Sequence, residues 1–217
     1  MPVACFRTVD LQHPLRVITP TLDGDILALL AAGEVQLSGR EIGRRIGASQ
    51  EGVRRTLERL VGEGIVLRER AGNAHLYRLN RRHIAAPWIE QLGAARTQLI
   101  ERLCEAIGRW RIRPVAAVLF GSAARGEASA ASDIDILVVR PHRTDVDDPA
   151  WRRQVSDLES DAAASTGNDA RVIEYSDQEV RRLWNDEPLL AVAAADGIEL
   201  FGSLRRLRPR GKKRSRR

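Results

Sequence analysis

The sequence predicts an α+β chain in two parts: a helical N-terminal part closed by a β-hairpin, and a C-terminal α/β part with a mixed sheet. Three observations predict it. Residues 22–62 repeat apolar side chains at helical spacing, and residues 65–79 hold two short β-forming runs around Ala71-Gly72-Asn73. From residue 115 to 201, apolar runs of strand length alternate with amphipathic stretches. Of the 217 residues, 43% are hydrophobic and 29% charged, a globular mixture that excludes wholesale disorder. Aromatics make up only 4%, so the cores must be built from Leu, Val, Ile and Ala.

The elements follow in order. Leu22, Ile26, Leu27, Leu29 and Leu30 mark a first helix, with Thr21 or Asp23 as cap and Gly33 as stop. Val35 and Leu37 fit a short extended link. Ser38 caps a second helix, Gly39 to Ile46, with Glu41 at the capping-box position. Gly47-Ala48-Ser49 makes a tight turn, and a third helix runs from Gln50 to Gly62. It buries Val53, Leu57, Leu60 and Val61 and shows Arg54, Arg55 and Arg59 on its other face. Ile65-Val66-Leu67 and His75 to Leu79 read as the two strands of a hairpin.

Helix, helix, tight turn, helix, hairpin resembles the winged helix-turn-helix family over Leu22–Leu79. The resemblance implies DNA as a partner, with Gln50, Glu51, Arg54 and Arg55 nearest the base edges and Arg59 on the same helix. Arg70, Asn73 and His75 of the wing would lie near the backbone or minor groove. Winged helices often dimerise, so a homodimer is expected. The plainer alternative for the three arginines is a solvated helix face, and some winged helices contact only protein.

Pro87 opens a long amphipathic stretch, Trp88 to Trp110, predicted as one connecting helix with Trp88 and Trp110 as core residues. Its stripe of Ile89, Leu92, Leu99, Ile100, Leu103 and Ile107 either packs on the C-terminal part or joins two copies. His83 is a linker residue, and Cys104 falls in the stripe as a small buried apolar residue.

Val115 to Phe120 is a buried strand, followed at once by Gly121-Ser122-Ala123-Ala124-Arg125-Gly126. A second strand carries Ser132-Asp133-Ile134-Asp135-Ile136-Leu137-Val138-Val139. A glycine at a strand-to-helix corner lets a phosphate approach the chain closely, and backbone N–H groups there suit a triphosphate. Asp133 and Asp135, two apart on a strand, project from one face and can share divalent cations. Hard oxygen ligands suit Mg²⁺ or Mn²⁺. This is the equipment of nucleotidyl transfer from an NTP.

The string GSAARGEASAASDIDILVV resembles the signature of the DNA polymerase beta nucleotidyltransferase superfamily, and most of all its minimal nucleotidyltransferases. The resemblance is strong over Val115–Val139 and weaker to Phe201. It implies a polymerase-beta-like α/β domain in which Ser122 contacts a phosphate, Gly121 permits that contact, and Asp133 and Asp135 hold the metals. Arg125 would support the loop or the phosphates. A third carboxylate is usual on a neighbouring strand, as metal ligand and base. After a helix from Trp151 to Ser165, Glu174 is the only acid inside the run Ala170–Tyr175 and is the candidate, with Asp169 as competitor. If neither reaches the metals, the domain binds nucleotide only. Two helices, 177–185 and 188–195, and a strand, 198–201, complete the domain.

Charge divides unevenly along the chain. Residues 1–39 carry a net −2, residues 40–82 +6 and residues 83–203 −7, while 204–217 hold nine basic groups and no acid. The last stretch reads as a disordered basic tail suited to phosphate contact. The expected layout is therefore an extension (1–20), a winged helix-turn-helix (21–82), a connecting helix (83–112), a nucleotidyltransferase domain (113–203) and the tail (204–217). No run of about 18 apolar residues and no export signal is seen, so a cytoplasmic protein without a membrane partner is expected. Cys5 and Cys104, with no CxxC, exclude a disulfide framework or zinc knuckle.

The leading expectation is a metal-dependent enzyme moving NMP from an NTP to a hydroxyl of RNA, protein or a small molecule. The superfamily includes antibiotic-modifying and toxin–antitoxin members, so the resemblance does not choose the acceptor. One alternative is a transcriptional regulator whose C-terminal domain binds nucleotide without turnover. Another is an antitoxin-like partner protein that uses both domains for protein contacts.

Overall fold

The computed structural model describes residues 9–34, 36–129 and 131–209. Cys5, Val35, the start of the N-terminal extension and tail residues 210–217 lie outside the described residues. The chain divides into two compact units, one from Asp10 to Thr97 and one that joins Val9 to the described residues from Gln98 onward.

The first unit holds α1 (Leu22–Ala31), β1 (Leu37–Ser38), α2 (Gly39–Ile46), α3 (Gln50–Gly62), β2 (Val66–Ala71), β3 (Ala74–Leu79) and α4 (Ala86–Gly93). Ser38 caps α2 by accepting from the Glu41 N–H, and Ser49 caps α3 by accepting from Gly52. The hairpin turn has Gly72 at its first central position with φ +60° while Asn73 keeps a negative φ, the pattern of a type II′ turn. β1 adds to the far side of β3, giving a three-stranded antiparallel sheet in the order β1-β3-β2. Ile26, Leu30, Ile42, Val53, Leu57 and Leu79 form the centre of the core. Beside them the buried Asp25 carboxylate accepts from Arg16 at 2.8 Å and meets His13 at 2.9 Å, so its charge is compensated.

The expected single connecting helix is two helices. α4 ends at Gly93, Ala94 leaves helical geometry at ψ 10°, and α5 (Ala95–Gly108) follows. The break turns Trp88 outward: it is 65% exposed and is not the core residue expected. Trp110 is buried, as expected, and Cys104 is half-buried, which pushes its thiol pKa up.

The second unit continues with β4 (Ala116–Phe120), α6 (Gly121–Arg125), β5 (Ile134–Arg140), α7 (Pro149–Thr166), β6 (Ala170–Ser176), α8 (Asp177–Leu183), α9 (Pro188–Asp196) and β7 (Ile198–Gly202). α7 starts two residues before the expected position because Asp148 caps it and Pro149 opens its first turn. The sheet order is β6-β5-β4-β7, with β5 and β6 parallel and the other pairs antiparallel, the mixed sheet expected. β4 is buried along its whole length. One face of the sheet carries Val118, Phe120, Leu137 and Val139 against Val180 and Leu190. Trp151 of α7 is fully buried and meets Trp110 edge-on, with ring centroids 5.4 Å apart.

The tail expected to be disordered from residue 204 begins with a folded turn. Leu204–Leu207 is a 3₁₀ turn whose two leucines, three apart, fall on one side and are buried in this core. No helix among the described residues is long and apolar enough to cross a membrane. Trp151→Ala, which removes the largest fully buried side chain, is expected to cost about 3–5 kcal/mol in urea unfolding.

Candidate functional site

The site grows from the pairing of β4 with β5. β4 runs into Gly121, and the antiparallel register sets Asp135 opposite Phe120, the last residue of β4. Gly121 adopts φ +73°, a conformation natural to glycine, and a Cβ built there would meet Asp135 Oδ2 at 3.1 Å. The Asp135 carboxylate therefore occupies the space that a side chain at Gly121 would need. Ser122 lies on the first turn of α6, directly after the glycine.

Asp133 lies two residues before Asp135 on the same face. Burial pushes the Asp135 carboxyl above the ordinary range, the Asp133 charge adds to the push, and Arg171 opposes it. Asn168, almost fully buried, donates from Nδ2 to the Ser132 carbonyl at 2.9 Å and so holds the segment that delivers Asp133. The sequence pattern passed over Asn168; only its burial marks it.

The remaining expected site residues go elsewhere. Glu174 is not brought to the aspartates. It stands opposite Val138 in the β5–β6 register, so strand alternation puts it on the other face of the sheet from Asp135. There its carboxylate accepts from Trp151 Nε1 and from Arg152, each at 2.5 Å. Asp169 is exposed at the entrance of β6, and its carbonyl accepts from Ile134. The residue opposite Asp135 is Arg171, whose Nη2 lies 2.9 Å from Asp133 Oδ2. Arg125 is exposed, with its Nε donating to Glu127 at 2.7 Å.

Among the described residues no group of three or more acids, histidines or cysteines is placed to hold a metal ion. Two carboxylates facing one corner are a donor set that fits one divalent cation, because Mg²⁺ is commonly held by one or two carboxylates together with substrate phosphates.

Residues 96–192 match the family model of the nucleotidyltransferase domain. The match supports nucleotidyl transfer as the general activity of this segment, and it spans the corner, both aspartates and Arg171. Among solved structures, one titled "Crystal structure of the toxin-antitoxin with AMP-PNP" is 18% identical at a TM-score of 0.36, covering 50% of this chain and 77% of that one. No curated protein matches.

In the first unit the α3 arginines meet acids. Arg54 donates to Glu51 and Glu58, Arg55 to Glu51, and Arg59 to Glu63 and Asp23. The two guanidinium groups pull the Glu51 carboxyl down to about 2. Gln50 folds its amide over Gly43 of α2, and Asn73 sits at the exposed hairpin tip. Arg68, Arg70 and Arg78 of the hairpin make no ion pair among the described residues; Arg70 Nε donates to the Gly72 carbonyl.

Two expectations follow. Gly121→Ala forces a side chain into positive φ beside Asp135 and is expected to cost about 1–3 kcal/mol in urea unfolding. Asp135 has its folded pKa above its unfolded value, so its contribution is full below about pH 4 and is lost as pH rises through the folded pKa. Asp135→Asn is therefore expected to raise the melting temperature by a few degrees at pH 7 in chelator and to leave it unchanged at pH 3.

Proposed function

We propose that this protein is a nucleotidyltransferase that moves NMP from an NTP to a hydroxyl acceptor, joined to a winged helix-turn-helix that binds DNA. The observation that carries the first half is the close approach of the Asp135 carboxylate to the Gly121 corner, beside Asp133. Gly121 leaves room for a phosphate, the Ser122 hydroxyl donates to a phosphate oxygen, and Asp133 and Asp135 hold one divalent cation. Mg²⁺ or Mn²⁺ held by these two carboxylates would supply positive charge for the triphosphate and would lower the pKa of the attacking hydroxyl. The acceptor hydroxyl gives up its proton to water, its oxygen bonds to the α-phosphorus, and the bond from that phosphorus to the pyrophosphate oxygen breaks, so that pyrophosphate leaves with the electron pair. Glu174, on the other face, takes no part.

A second reading, a regulator that binds nucleotide without turning it over, draws on Arg171 standing where a third carboxylate was expected. Labelled NTPs incubated with Mg²⁺ and total cellular RNA or protein separate the two. Transfer that Asp133→Ala/Asp135→Ala reduces by at least about 10³-fold supports the enzyme, the order of loss for removing a principal transition-state group. Nucleotide binding with no transfer supports the regulator.

Support for DNA binding comes from the element order of residues 22–79 and the net charge of residues 40–82. Glu51 holds Arg54 and Arg55 on the α3 surface, so its charge opposes phosphate contact. Glu51→Gln is expected to tighten DNA binding roughly eightfold at 0.1 M salt and to steepen the salt dependence by about one phosphate contact. A gel-shift series over salt measures both; no salt-sensitive binding in either protein contradicts the DNA reading.

A further inference from the structure

β6 runs parallel to β5 with Asp135 opposite Arg171. On β6 the residue opposite Asp135, on the face of the sheet that the two aspartates share, is the nearest place on that strand from which a third ligand could complete a two-ion site. That position holds Arg171, and its guanidinium already pairs with Asp133 at 2.9 Å. We infer that Arg171 is a built-in counter-cation of the acidic pair, which limits it to a single divalent ion and competes with that ion for Asp133. The inference rests on Asp133 and Asp135 being cation ligands.

Charge and geometry both lead there. Two divalent ions in such sites stand about 3.5–4 Å apart. Beside two carboxylates and one guanidinium they leave a net positive charge before any nucleotide arrives. Arginine cannot relieve this by losing its proton. In the nucleotide-free protein a single ion against the same groups leaves a net charge of only one. The competition is modest, because the Arg171 side chain is 68% exposed and its ion pair is of the weak surface kind.

The test uses Mn²⁺ alone as probe, with the full chain and no nucleotide, and follows the free-ion electron paramagnetic resonance signal. Wild type is expected to bind at most one Mn²⁺ that Asp133→Ala/Asp135→Ala removes. Arg171→Ala is expected to bind that ion about fivefold tighter, the scale of a surface ion pair. Arg171→Lys keeps the charge and stays near wild type, whereas Arg171→Asp supplies a third carboxylate and takes a second ion. Unchanged melting curves establish that the variants are folded. Two site-bound ions in wild type, or an Arg171→Ala affinity no higher than wild type, overturn the role of Arg171 while leaving the acidic pair as a cation site. Mn²⁺ binding that survives Asp133→Ala/Asp135→Ala overturns both.

Discussion

The site depends on the register between β4 and β5, which sets Asp135 opposite Phe120 and hence against Gly121. Register in a sheet with buried faces is fixed by the apolar pattern, because a slip of one residue exchanges the two faces. In β4 all five side chains are buried, so neither face can be given up. A slip in β5 would carry Asp133 and Asp135 to the face that packs Trp151 and bring Ile134 and Ile136 to the corner. The apolar core thus holds two like charges beside each other at the start of an inner strand, and burial first and the neighbouring Asp133 charge second push the Asp135 carboxyl upward.

Arginine answers those charges in the second unit, and acids answer arginine in the first. Arg171 partly neutralises the aspartates where a third acid was expected. On α3, Glu51, Glu58 and Glu63 tie down Arg54, Arg55 and Arg59. Helical spacing makes these pairs almost unavoidable, since Glu51 lies three and four residues before the first two arginines. The cations left without an acidic partner among the described residues include Arg68, Arg70 and Arg78 on the hairpin. The DNA contact proposed for this unit would therefore draw on the hairpin as much as on α3.

Local signals made much of the fold legible. Ser38 and Ser49 cap the helices they precede, and the bounds of α2 and α3 fall where spacing and caps place them. The break at Ala94 was harder, since alanine favours helix, although Gly93 just before it is a break signal in retrospect. The Leu204–Leu207 turn was hidden by the surrounding basic residues, which outweighed two leucines at a spacing of three. In the site, the aspartate pair and the glycine corner were readable because their geometry is local to one strand and one turn. The third position was not. Alternation along β6 separates Arg171 from Glu174, but which of them faces Asp135 follows only from the inter-strand register. Counting acids within the strand selected Glu174, which instead anchors α7 through Trp151 and Arg152.

Crystals of the full chain with Mn²⁺ and a non-hydrolysable NTP analogue, measured for the anomalous scattering of manganese, address the site most directly. One anomalous peak bridging Asp133 and Asp135, with the phosphates against Gly121 and Ser122, is the result expected. Phosphates bound elsewhere on the chain, or manganese with no contact to either aspartate, would contradict it.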